Sequence, residues 1–169
     1  MIIIVETTTI KVVATVMMNK KSIAISACLL GCNCKYNGGN NYTSKVEKLK
    51  EQYNLIDICP EVLGGLSTPR VPSEIIGDKV INKEGLDVTI NYQTGAKIAL
   101  DKALENGCEI AILKAKSPSC GCGKIYDGTF TSTLIDGDGI TTRLFKEHNI
   151  KVSKYVLNNT SRERTITII

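Results

Sequence analysis

Seven cysteines and one histidine stand in a chain of 169 residues, so metal or nucleophile chemistry here rests on sulfur. An odd number of cysteines leaves at least one outside any disulfide framework. A chain of this length also buries roughly 68–70% of its unfolded surface and needs no covalent staples. Thiolates are soft ligands suited to zinc and to iron-sulfur clusters, and spacing narrows the choice. The close pairs are Cys28-x-x-x-Cys32, Cys32-x-Cys34 and Cys120-x-Cys122, whereas a zinc ribbon is built on paired C-x-x-C knuckles. The run C-x-x-x-C-x-C also misses the C-x-x-x-C-x-x-C of radical enzymes that use adenosylmethionine. His148 falls near the end of a predicted helix, as a partner for the helix dipole rather than a member of a Ser-His-Asp site.

Three of the thiols occupy equivalent places. Cys28 follows the first predicted strand, Cys59 follows the second, and Cys120 lies in the loop leaving the third. In an open parallel sheet these carboxyl ends share one edge, where ligands bind. Cys28 and Cys59 taken alone read equally well as small buried hydrophobes. Cys120 differs, because Ser117-Pro118-Ser119-Cys120-Gly121 is a polar, turn-forming stretch that gives a core thiol little reason to be there. Cys108, just after the helix stop Gly107, reads as a core residue. Cys32, Cys34 and Cys122 are spare thiols within reach of the same edge.

The elements that must position these residues alternate strand and helix. Nearly continuous apolar runs at 22–27, 55–58, 110–113 and 150–156 read as strands of a parallel sheet buried on both faces. Ser44 and Glu47 form a capping-box pattern ahead of a helix carrying Val46, Leu49 and Tyr53 on one face. Thr89 reads as the cap of a second helix with Ala96, Ala99, Leu100, Ala103 and Leu104 as its buried stripe. Asn106-Gly107 is its stop and Gly95 a weakness near its start. Asp138 reads as the cap of a third helix carrying Leu144 and Phe145. Gly77-Asp78 and Tyr126-Asp127-Gly128-Thr129 each signal a small hairpin. Right-handed crossovers then predict an α/β fold: a single-domain, open, mainly parallel Rossmann-like sheet of four main strands in the order 2-1-3-4. Helices cover both faces, and there are two β-hairpin excursions. The domain is expected over 21–157, with an N-terminal extension over 1–20 that includes alternating β-type sequence, and a tail over 158–169.

Composition limits the partners. A formal charge of +4 is scattered without a basic block, and six tyrosines and two phenylalanines are the only aromatics, a poor match to a nucleic-acid surface. No apolar run approaches the ~18 residues of a membrane span, and no secretory signal is visible. The expectation is a cytoplasmic protein with free thiols and a small-molecule partner.

The segments Ser26-Ala27-Cys28-Leu29-Leu30-Gly31, Cys59-Pro60-Glu61 with Gly64-Gly65-Leu66 and Pro69-Arg70, Asp87-Val88-Thr89, Lys114 with Ser117-Pro118-Ser119-Cys120-Gly121, and Ile125-Tyr126-Asp127-Gly128 resemble, in order, the motifs of the thiouracil desulfidase family. The resemblance runs from about Lys21 to Val152. It implies a 4Fe-4S cluster held by Cys28, Cys59 and Cys120 with one iron lacking a protein ligand, and functional roles for Glu61 and Ser117. The activity implied is hydrolysis of the C-S bond of a thiolated base or nucleotide such as thiouracil, the vacant iron capturing the substrate's sulfur. Glu61 would serve as the base, its pKa raised by thiolate charge and partial burial. Ser117 would donate a hydrogen bond, and Arg70, Lys114 and Ser119 are candidate substrate contacts. The extra thiols Cys32, Cys34 and Cys122 depart from the pattern. A fourth ligand drawn from them would close the site and make a structural or redox-sensing module instead.

Overall fold

The computed structural model describes residues 20–155; the readings made for 1–17, Val156 and 158–169 lie outside the described residues. Four strands, β1 (Ser22–Ser26), β2 (Asn54–Ile58), β5 (Ile110–Lys114) and β8 (Lys151–Tyr155), form one parallel sheet in the order β2-β1-β5-β8. That is the expected 2-1-3-4 order. Its origin is visible in the strands' alternation, since successive side chains point to opposite faces. Ile23, Ile25 and Ile112 face α1 (Lys45–Gln52), packing on Val46, Leu49 and Leu29. Ala24, Ala111 and Leu113 face the other way, onto Ala99, Leu100 and Ala103 of α3 (Thr89–Glu105) and Phe145 of α4 (Ile140–Glu147). Helices therefore cover both faces. No described helix is long and apolar enough to cross a membrane.

Two antiparallel pairs stand outside the main sheet. In the first, β3 (Ser73–Ile76) and β4 (Lys79–Asn82) turn through Gly77 at φ +64°, as Gly77-Asp78 predicts. The second pairs β6 (Lys124–Tyr126) with β7 (Leu134–Asp136). Here the expected tight turn at Asp127-Gly128 is replaced by a longer loop over 127–133. Asp127 uses its carboxylate on Thr129, and its N–H donates to the carbonyl of Thr133 at 3.1 Å.

Helix ends depart from expectation where side chains found other partners. Ser44 is helical and makes no capping bond; Glu47 instead accepts from the Tyr42 hydroxyl at 3.2 Å and Lys50 at 3.0 Å. Thr89 is the first helical residue rather than the cap, and Asp87 accepts its N–H at 3.0 Å. Gly139 takes the position assigned to Asp138, whose carboxylate accepts from Gly123 N–H and pairs with Lys146. Leu104 is 48% exposed and leaves the predicted stripe.

The short helix α2 (Pro60–Leu63) directly follows β2, and α3 packs against it with unusual closeness. A Cβ on Gly95 would stand 1.8 Å from the carbonyl oxygen of Pro60, and one on Gly64 1.9 Å from that of Asn91. Gly95, read from sequence as a weakness, is what admits α2 to this seat. Asn91 Nδ2 adds a hydrogen bond to Gly64 O at 2.8 Å.

Candidate active site

The carboxyl ends of β1, β2 and β5 open onto one cavity of about 530 Å³, within the range of small-molecule sites. Its walls include Cys28, Cys59 and Cys120, together with Cys34, Glu61, Arg70, Lys114 and Ser117. Each is placed by a short local device. Cys28 sits in the 3₁₀ turn Ala27–Leu30 that continues β1, and Cys59 is the residue between β2 and α2. Cys120 is held by Ser117, whose hydroxyl accepts the N–H groups of Ser119 at 3.0 Å and Cys120 at 3.1 Å.

That hydroxyl has a second duty. It donates to Oε1 of Glu61 at 3.2 Å, while Arg70 reaches Oε2 with Nε at 2.8 Å and Nη2 at 2.6 Å. The Glu61 and Arg70 side chains are only 15% and 8% exposed. Burial works against the Arg70 charge, but the Glu61 carboxylate outweighs it and holds the guanidinium above its ordinary value. Tyr92, 1% exposed, completes the wall beside Glu61, and burial together with that carboxylate holds its phenol above the ordinary value.

The thiols are not equivalent. Cys34 lies within hydrogen-bonding reach of both Cys28 and Cys59. Its hydrogen bond is the main reason Cys28 falls to about 6, helped by Asn41 Nδ2 at 3.4 Å and the charge of Lys114, against opposition from burial and Glu61. A separate interaction with Cys34 is the main reason Cys59 is lowered, against burial, and Cys34 is raised by both neighbours. Burial pushes Cys120 up to about 12, against a hydrogen bond from Ser26. Lys114 is held below its ordinary value by burial, against the pull of Cys28 and Cys120; its Nζ donates to Ala115 O at 2.7 Å.

Other sequence-predicted residues fall elsewhere. Ser119 does not reach the cavity: it is fully buried, and its hydroxyl pairs with that of Thr141 at 2.9 Å. Cys32 is exposed, Cys122 donates toward Val152 O at 3.7 Å, and Cys108 is buried in the core. His148 caps α4 and turns Nδ1 to Leu144 O. Cys34 was singled out only as a spare thiol, and Asn41 and Tyr92 were missed. The Cys28-x₅-Cys34 spacing was the available signal for the first, whereas nothing local marks the other two.

Fold and site together define an α/β protein with thiols from three strand ends lining a ligand cavity, beside a carboxylate fixed by an arginine and a serine. The chain belongs to the 2-thiouracil desulfurase family, which matches residues 23–155. It is 42% identical over 140 residues to the Bacillus subtilis (strain 168) protein YbbK, described as uncharacterized, covering 77% of this chain and 93% of that one. A solved structure titled [4Fe-4S]-dependent thiouracil desulfidase TudS (DUF523Vcz) is 42% identical and superposes with a TM-score of 0.76, over 80% of this chain and 91% of the other.

Proposed function

We propose that this chain is an iron-sulfur-dependent desulfidase that hydrolyses the C-S bond of a thiolated pyrimidine such as thiouracil. Cys28, Cys59 and Cys120 are the ligands of its 4Fe-4S cluster. The observation that carries this reading is the convergence of those three thiols, from three strand ends, on the cavity that also holds Glu61. The donor set fits the group: three soft sulfur ligands on the wall of one cavity. Among the described residues no three Cys, His, Asp or Glu side chains converge as they would around a single metal ion.

When bound, the cluster supplies a Lewis-acidic iron without a protein ligand, a position suited to a soft thiocarbonyl sulfur. The remaining work belongs to the chain. Glu61 takes the proton of the attacking water; Oε1 keeps an acceptor site after serving Ser117, since a carboxylate oxygen accepts two hydrogen bonds. Arg70 and Ser117 fix the direction of that carboxylate, which general-base catalysis requires. Lys114 sets positive charge where the departing sulfur gathers negative charge. The overall change is thiocarbonyl plus water to carbonyl plus hydrogen sulfide, with no net redox step.

The test is anaerobic purification with iron and sulfide analysis, followed by sulfide release from 2-thiouracil and 4-thiouracil. Four irons and four sulfides per chain with stoichiometric sulfide release support the reading. A colourless protein carrying one zinc, or a loaded protein inert toward both bases, overturns it.

A further inference from the structure

The loop over 127–133 carries two residues into the cavity wall, Phe130 and Ser132, and both have left-handed backbone at φ +57° and +65°. Bulky L residues rarely adopt that conformation; a phenylalanine stays there only when its surroundings over-determine it. Those surroundings are built here. Glu74, 8% exposed, accepts the N–H of Gly128 at 2.9 Å and of Phe130 at 3.0 Å through one carboxylate oxygen. Gly128, at φ +91°, seats the loop on β3 so closely that a Cβ would stand 2.7 Å from Ile76 Cγ1. Around it, exposed Thr129, Thr131 and Thr133 join their hydroxyls at 2.7 and 2.8 Å, while half-buried Phe130 and exposed Ser132 contribute to the cavity wall. An ordinary hairpin would have used the tight turn that Asp127-Gly128 offers. This loop is longer, and the strained position is filled by one of the chain's two phenylalanines.

We infer that Phe130 is a specificity-determining residue, a fixed apolar platform on which the flat ring of the thiolated base stacks. The inference rests on the desulfidase reading and adds to it what selects the substrate's shape. The cavity is also lined by Lys35, Lys83, Lys116, Lys114, Arg70 and Glu61 and by three tyrosines, Tyr36, Tyr92 and Tyr126, so that among its aromatic side chains Phe130 alone carries no hydroxyl. The charged groups can orient a thioamide but do not distinguish a ring from an open chain. An aromatic face does, because stacking requires a planar π-surface.

The variants are Phe130→Leu, which keeps apolar bulk without an aromatic face, and Phe130→Tyr, which restores one. The substrates are 2-thiouracil and the acyclic thioamide thioacetamide. Uracil binding, measured by calorimetry on the cluster-loaded protein, adds a readout that needs no turnover. Phe130→Leu should raise the thiouracil KM and the uracil Kd roughly 5- to 100-fold, the range of a lost base-aromatic stack. Its kcat should stay within about twofold, and its iron content, melting temperature and thioacetamide KM should be unchanged. Phe130→Tyr should return both thiouracil KM and uracil Kd to wild-type values. Equal uracil affinity in wild type and Phe130→Leu overturns the inference. Wild type that binds uracil through Phe130 yet releases no sulfide from thiouracil overturns the desulfidase reading and leaves the platform standing.

Discussion

Arg70 grips a single carboxylate oxygen of Glu61, leaving the other to Ser117. Both side chains are largely removed from water, so cutting the pair strands a charge. Arg70→Ala should cost about 3 kcal/mol, read as a fall of roughly 6–12 °C in melting temperature for a chain of this size. Arg70→Lys keeps the charge without the two-pronged geometry and should fall between. Neither effect is catalytic evidence by itself. Glu61→Gln supplies that, with an expected kcat loss of about 10²–10⁴-fold and an unchanged iron content. Iron loss in Glu61→Gln would move Glu61 from proton transfer to cluster binding.

Cys34 tests whether the site is open. Its thiol interacts with those of Cys28 and Cys59, the position of either a fourth ligand or, through its single S–H, a hydrogen-bond donor to one of the proposed ligands. An open site assigns it the donor role, and such a bond tunes a cluster's potential without holding it. Cys34→Ala should therefore retain full iron and sulfide and lower the reduction potential in a spectroelectrochemical titration. Cys28→Ala, Cys59→Ala and Cys120→Ala should each lose the cluster. Iron loss in Cys34→Ala equal to theirs would assign it as a ligand.

The division between what was readable in the sequence and what was not follows the range of the interactions. Strand order was readable because parallel strands buried on both faces leave apolar runs, as in 22–27 and 110–113, and crossover handedness restricts their arrangement. The three strand-end thiols followed from that order. Caps were less readable: Ser44 and Glu47 match a local pattern, yet Glu47 is taken by Tyr42 and Lys50, and local propensity yields to such partners. The length of the 127–133 loop was hidden because its anchor, Glu74, lies on another hairpin. The Ser117–Glu61–Arg70 chain joins helix α2 to two separate loops, and no single window contains it.

Asp87 gives the fold a defined acid response. The Thr89 hydroxyl and N–H, then Lys79, lower its carboxyl to about 2 from the usual 3.8. A carboxylate depressed in the folded state contributes stability that is complete above the unfolded value and is lost as pH falls through the folded one. The contribution should therefore be intact at pH 5 and disappear between roughly pH 4 and pH 2. Asp87→Asn should lower the melting temperature at pH 6 and flatten its decline across that window. A variant whose acid slope matches wild type would show that other carboxylates carry the response.

Gly95 couples the scaffold to the site. Helix α3 meets α2 with no room for a side chain at this position, since the carbonyl of Pro60 stands 1.8 Å from where a Cβ would be. Backbone cannot yield as a flexible side chain would. By helix propensity alone Gly95→Ala would gain about 1 kcal/mol; the overlap instead predicts a loss of about 3 kcal/mol or more, at the upper end for overpacking. Relief requires α2 to move away from α3, and α2 carries Glu61 directly after Cys59 and Pro60. Gly95→Ala should thus lower the melting temperature and, in the fraction that remains folded at low temperature, lower both kcat and cluster occupancy. Leu104→Ala, on an exposed position of the same helix, is the control and should change neither. A Gly95→Ala protein more stable than wild type would mean that the two helices do not meet this closely.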